Sequence, residues 1–156
     1  MRNNFKQPPT HHKHELVNPH DVTPGCIYRA DLEMHNGEIK NRPVLVICYD
    51  GENQTQKDKC AVLPITSKYD KKPRGIQDNY AFLKNWQECG LARESWVDCN
   101  PYKFETLSIE QLDNSHRYKP ISNDVTKNMA NKVITSTRLA EAQKTKQFAR
   151  DVGFHI

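Results

Sequence analysis

Nothing in this sequence is long and apolar enough to span a bilayer; the longest apolar run is Val44 to Tyr49. The opening Met1-Arg2-Asn3-Asn4-Phe5-Lys6 lacks the apolar stretch of a secretory signal, so a cytosolic protein is expected. No Cys-x-x-Cys pair occurs among the cysteines Cys26, Cys48, Cys60, Cys89 and Cys99. An odd number without that spacing argues against a disulfide framework. It favours small buried apolar side chains in a reducing compartment. No internal repeat or low-complexity segment is present, which excludes a repeat architecture. A strong charge of either sign is also missing. Lys+Arg 23 against Asp+Glu 19 gives +4, which permits a polyanionic partner without requiring one.

What the chain does have is 156 residues, 36% hydrophobic and 27% charged: enough for one domain with a modest core and extra tail. Residues 1–22 are polar, with Pro8-Pro9, His11-His12-Lys13-His14 and His20, and read as a flexible arm. A weak contact with nucleic acid suits such an arm. A zinc site with Cys26 is the sharper alternative, but the spacing fits no standard zinc pattern. The folded domain is expected over residues 23–142, followed by a polar tail over 143–156.

Two apolar stretches organise that domain: Arg42-Pro43-Val44-Leu45-Val46-Ile47-Cys48-Tyr49 and Ala61-Val62-Leu63-Pro64-Ile65-Thr66-Ser67-Lys68. Both read as buried strands, β-branched and aliphatic with no helical period. Paired antiparallel, they bring Arg42 and Thr66-Ser67 to one rim of a small sheet. A guanidinium beside two hydroxyls suits a phosphate. Taken alone, Arg42 is as well a strand-edge charge, and Thr66-Ser67 a strand end and turn.

Around these strands the signals are short. Cys26 to Met34 predicts a strand, and Asn36-Gly37 a hairpin turn into the next. Ser67 to Gly75 interleaves Lys68, Lys71, Lys72 and Arg74 with Tyr69, a pattern suited to single-stranded nucleic acid and also to a solvated loop. Further strands are expected at Ile76–Leu83, Glu94–Cys99 and Tyr102–Leu107. A helix is expected from Ser122 or Asn123, with Val125, Met129, Val133, Ile134, Leu139 and Ala140 facing the sheet. Short strands, Gly and Pro turns and one helix predict a mainly β fold, a small barrel or strongly curled sheet.

Several pieces together resemble the PemK/MazF family of bacterial toxins: Pro24-Gly25-Cys26-Ile27-Tyr28, Asn41-Arg42-Pro43-Val44-Leu45-Val46-Ile47, Leu63-Pro64-Ile65-Thr66-Ser67, and Gly90-Leu91 with Glu94-Ser95-Trp96-Val97 and Thr106-Leu107. The resemblance covers roughly Pro24 to Ala140. It implies an SH3-like β-barrel with a C-terminal helix, usually a homodimer, that cleaves single-stranded RNA without a cofactor or metal and is neutralised by a cognate antitoxin protein. The expected products are a 2′,3′-cyclic phosphate and a 5′-hydroxyl. The family's arginine before proline matches Arg42, its threonine Thr66, and the neighbouring hydroxyl Ser67. The hairpin before the arginine supplies Glu38 or His35 as candidate general base. Lys68, Tyr28, Arg29 and Tyr69 are the other candidate RNA contacts. Two positions depart from one family pattern: where some members carry an arginine and an aspartate, this chain has Asp98 and Asn100. That departure keeps a second function in view, a non-catalytic toxin or binding module on the same barrel, such as one resembling the CcdB gyrase inhibitors.

Overall fold

The computed structural model describes residues 14–34, 36–48, 59–100, 103 and 105–135. The two apolar runs lie at its centre as β2 (Ile39–Cys48) and β3 (Lys59–Thr66), paired antiparallel with Val44 opposite Pro64 and Val46 opposite Val62. β1 (Ile27–Glu33) lies on the far side of β2, Tyr28 opposite Val44 and Ala30 opposite Arg42.

The other edge of β3 is divided between two partners. β6 (Glu105–Ser108) takes its first half, Lys59 to Val62, and β5 (Trp96–Asp98) its end, Ile65 and Thr66. β4 (Tyr80–Phe82) then pairs outside β5. Among the described residues the result is an antiparallel sheet of six strands with one C-terminal helix, barrel-like but not closed as a continuous sheet. A single bridge links the segment after β6 back to β1. The N–H of Arg29 donates to the Asp113 carbonyl at 3.0 Å, and the Asp113 N–H to the Arg29 carbonyl at 2.8 Å.

Both faces of the central strands are covered, which is why they read as continuous apolar runs rather than alternating ones. One face carries Ile27, Leu45, Leu63, Ile65 and Val97 against Met129, Ala130 and Val133 of the C-terminal helix. The other carries Tyr28, Ala30, Leu32, Val44, Val46 and Val62, with Leu107 and Leu112. Val17 and Val22 pack on that second face. From Glu15 onward the chain is therefore docked, where a flexible arm was expected through residue 22. The Glu15 N–H donates to Asp113 Oδ1 at 2.8 Å, and Arg117 pairs with the Glu15 carboxylate at 2.8 Å. The expected arm residues 1–13, the cluster His11-His12 among them, lie outside the described residues.

Other expectations are revised. The stretch Ile76–Leu83 is not one strand: a helical turn α1 (Arg74–Gln77) precedes the three-residue β4. A second turn of helix, α2 (Trp86–Cys89), precedes Gly90. The C-terminal helix α3 (Asn123–Thr135) starts as expected, with Ser122 Oγ accepting from the Val125 N–H at 3.3 Å. Its buried stripe, however, is Thr126, Met129, Ala130 and Val133, while Val125 faces out. Thr126 tolerates burial because its hydroxyl donates back to the Ser122 carbonyl at 2.8 Å. Leu139 and Ala140 lie outside the described residues.

At the β1–β2 hairpin Gly37 adopts positive φ, at 86°, and Asn36 does not, so Asn-Gly does not form the two-residue turn that needs it at both positions. The Met34 N–H donates to the Glu38 carbonyl and the Gly37 N–H to the Met34 carbonyl, enclosing a longer loop. Among the described residues no helix is long and apolar enough to cross a membrane.

Candidate functional site

The β2–β3 register decides where Arg42 and Thr66 stand. Directly opposed residues share a face, and each second residue returns to it. The paired register ends at Val44 opposite Pro64; Arg42 lies two residues before the one and Thr66 two residues after the other, on the same face and at the same end of the pair. Thr66 in turn opposes Trp96, and Trp96 opposes Phe82. Thr66, Trp96 and Phe82 thus form one transverse row over three strands, with Arg42 on the same face of β2.

Arg42 and Thr66 both line a cavity of ≈ 660 Å³. Lys68, Lys72 and Lys103 add positive charge, while Glu33, Asp98 and Glu105 add carboxylates. Leu32, Pro64, Ile76 and Tyr80 supply apolar wall. Among the described residues no hydrogen bond or ion pair engages the Arg42 guanidinium, so its planar donors are available to a ligand. Thr66 Oγ1 accepts from the Lys68 N–H at 3.1 Å, which leaves the hydroxyl proton to donate elsewhere. Such a rim can hold a phosphate through a guanidinium, a hydroxyl and nearby ammonium groups.

The charges are distributed unevenly. Glu105 opposes Val62, four residues before Thr66, or about 13 Å along the strand. Burial pushes the Glu105 carboxyl above its usual range; Lys103 opposes that shift and Glu33 adds to it. A carboxyl raised by folding favours the folded state at low pH, and that benefit is lost as pH rises through its folded pKa. Glu105→Gln is therefore expected to melt higher than wild type at neutral pH, with the difference closing below about pH 4. Thermal melts across that range test it; a gap that does not change with pH counts against it.

The remaining candidates fall in different places. Lys68 lines the cavity. Ser67 is exposed beside it. Tyr69 stacks on Trp96, ring centroids 4.7 Å apart and planes 12° apart, and meets Tyr80 at 5.9 Å. Trp96 is half-buried in this aromatic group, with exposed Phe82 5.3 Å away. Tyr28 was expected near RNA but is buried among Val44, Val46 and Leu112; β1 turns its ring inward, and burial raises its phenol further, helped by Cys26.

Arg29 is likewise not at the cavity. Its guanidinium donates to the Asn41 side chain, to the Asn41 carbonyl at 2.8 Å and to the Tyr118 hydroxyl at 3.1 Å. Period-two alternation from Ala30, opposite Arg42, sends it to the other face. Glu38 is exposed on the hairpin, accepting from Asn36 Nδ2 at 3.1 Å and standing 4.0 Å from Lys40. The root of that hairpin, Glu33 and Met34, lines the cavity. His35 lies outside the described residues.

Asp98 and Asn100, where the family pattern is broken, bind each other. Asp98 Oδ1 accepts from the Asn100 N–H at 3.1 Å and from its Nδ2 at 2.6 Å, and Asn100 Oδ1 accepts from Asn79 at 3.0 Å. Cys60, Cys89 and Cys99 are buried as small apolar side chains: burial pushes the Cys60 and Cys99 thiols up to about 12.

An antiparallel sheet, a packed C-terminal helix and a cavity lined by Arg42, Thr66 and three lysines define a small β-barrel-like domain. The chain belongs to the PemK-like, MazF-like toxins of type II toxin–antitoxin systems, whose family model matches residues 23–137. No curated protein matches it. The class itself implies an antitoxin as binding partner.

Proposed function

We propose that this toxin is a metal-independent endoribonuclease that cuts single-stranded RNA in the cytosol, at the cavity between β2, β3 and β5. The observation that carries the reading is that Arg42 and Thr66, from neighbouring strands, both line one cavity. Cleavage begins when a base takes the proton of the 2′-hydroxyl. The oxygen attacks the adjacent phosphorus, the P–O5′ bond breaks and the 5′-oxygen departs, taking a proton from water, leaving a 2′,3′-cyclic phosphate and a 5′-hydroxyl. Charge on the phosphoryl oxygens is the main obstacle, and a fixed guanidinium with a donor hydroxyl meets it. Arg42 takes the first role and Thr66 the second.

Lys68, with Ser67 beside it, holds the flanking backbone, and Tyr69 supports a base-stacking surface through Trp96. Glu38 is the proposed base, on the hairpin whose root, Glu33 and Met34, borders the cavity; His35 of the same hairpin is the alternative. The cognate antitoxin covers this basic rim with an acidic segment, and the toxin works as a homodimer. Antitoxin affinity should fall as salt rises; calorimetry at low and high salt checks this, and equal affinities count against it.

The direct test is incubation of purified protein with a long RNA in EDTA, followed by end-group analysis. Internal cuts ending in cyclic phosphate support the reading. Intact RNA removes it in favour of a non-catalytic module, which the Asp98–Asn100 pairing favours by leaving that strand without a cation.

A further inference from the structure

Asp98 takes no part in the mechanism above, yet it sits in the wall of the same cavity and is only 4% exposed. A carboxylate so deeply buried is costly unless its lone pairs are satisfied. One oxygen is: Oδ1 accepts both Asn100 donors, and the Asn79–Asn100 contact fixes that amide in turn. Among the described residues no hydrogen bond is donated to Oδ2. The strand pattern fixes its place. Asp98 is two residues beyond Trp96 on β5 and therefore on the same face as Thr66, one diagonal step away. Such neighbours have Cβ atoms about 7 to 8 Å apart. Tyr80 opposes Asp98 directly, and Ile76 and Pro64 border the same space.

A phosphate held by Arg42 and Thr66 would thus have its attached nucleoside within reach of an apolar slot with a half-satisfied carboxylate in its wall. A carboxylate repels the carbonyl oxygens of a base and accepts from its amino group. Cytosine and adenine present an exocyclic amino group; uracil presents carbonyl oxygens on either side of its one ring N–H.

We propose that Asp98 is a specificity-determining residue that accepts a hydrogen bond from the exocyclic amino group of the base beside the Arg42-bound phosphate, so that uracil is excluded there. The proposal rests on the RNA-binding reading of the cavity and deepens it. Asn100 is its positioning residue: by saturating Oδ1 it turns the carboxylate so that Oδ2 alone remains for the ligand.

Binding of short single-stranded RNAs to the full chain tests this without depending on cleavage. The probes are oligo(C), oligo(A), oligo(U) and an oligo(C) carrying two methyl groups on N4, which removes the donors while keeping the ring. Wild type is expected to bind oligo(C) and oligo(A) about ten- to a hundredfold more tightly than oligo(U) and than the dimethylated oligomer. Asp98→Asn should flatten or reverse that order. Arg42→Ala should weaken every oligomer by a similar factor and preserve the order.

Equal affinities in wild type overturn the proposal, as does a preference that survives Asp98→Asn. The methylated probe keeps the test decisive if the variant does not fold, because it needs only wild type. An Arg42→Ala variant that binds all oligomers as well as wild type removes the phosphate site instead, leaving any base preference to be judged separately. Failure of wild type to bind every oligomer removes both.

Discussion

Arg42→Ala is expected to lower RNA cleavage by about 10²- to 10³-fold, the scale of removing one preorganised charge-stabilising donor. The fold should survive the change. Arg42 stands at the polar end of a row whose apolar members, Val44 and Val46, lie further along β2, and no described side chain depends on its guanidinium. Arg42→Lys should retain part of the rate, since it keeps the charge and loses the planar fork. Single-turnover cleavage of a labelled RNA in EDTA, with a thermal melt of each variant, separates chemistry from folding. Unchanged cleavage by a folded Arg42→Ala protein would sink the assignment.

Gly25→Ala should cost about 2–4 kcal/mol of stability, near the top of the range for single substitutions. Gly25 has φ of 102°, where a side chain is strained. A Cβ there would lie 2.5 Å from the Ile121 carbonyl oxygen and 3.2 Å from Thr126 Oγ1. The obstacle is backbone, which cannot rotate away as a side-chain tip can. The same residue joins three segments: its N–H donates to the Val46 carbonyl at 2.8 Å, and its carbonyl accepts from the Ile121 N–H at 2.9 Å. Easing the clash therefore pulls on the start of β1, on β2 and on the approach to α3. A melting temperature lower by about 10 °C is expected. Gly75→Ala is the control, for nothing lies within 4 Å of its added carbon. Equal melting of the two variants would refute the close-approach account.

The strands that hold Arg42 and Thr66 were legible because burial on both faces leaves an unbroken aliphatic run. Polar residues at one end of each run then mark a common rim once the strands pair antiparallel. Facing was much less legible. Tyr28 and Arg29 are neighbours on β1, and local sequence does not say which of them turns inward; the covering residues Val17 and Val22, and the distant Tyr118, decide that. The helix stripe shifted by one position for a related reason. Thr126 looks polar in sequence, but its hydroxyl is satisfied within its own turn, so its side chain can be buried. The stretch before β4 was misread because Ile76 is a lone apolar residue on a helical turn at the cavity wall, not the start of an alternating run. Asp98 was legible only as a departure from a family pattern; its burial and its one satisfied oxygen are products of the tertiary fold.

The family match begins at residue 23, yet Val17 lies earlier and is buried, with Glu15 anchored at Asp113 and Arg117. This toxin thus wears a length of its own polypeptide over one flank. A partner docking on the face that Val44 and Val46 line meets this segment, in addition to the family-matched domain, as part of the surface it must fit.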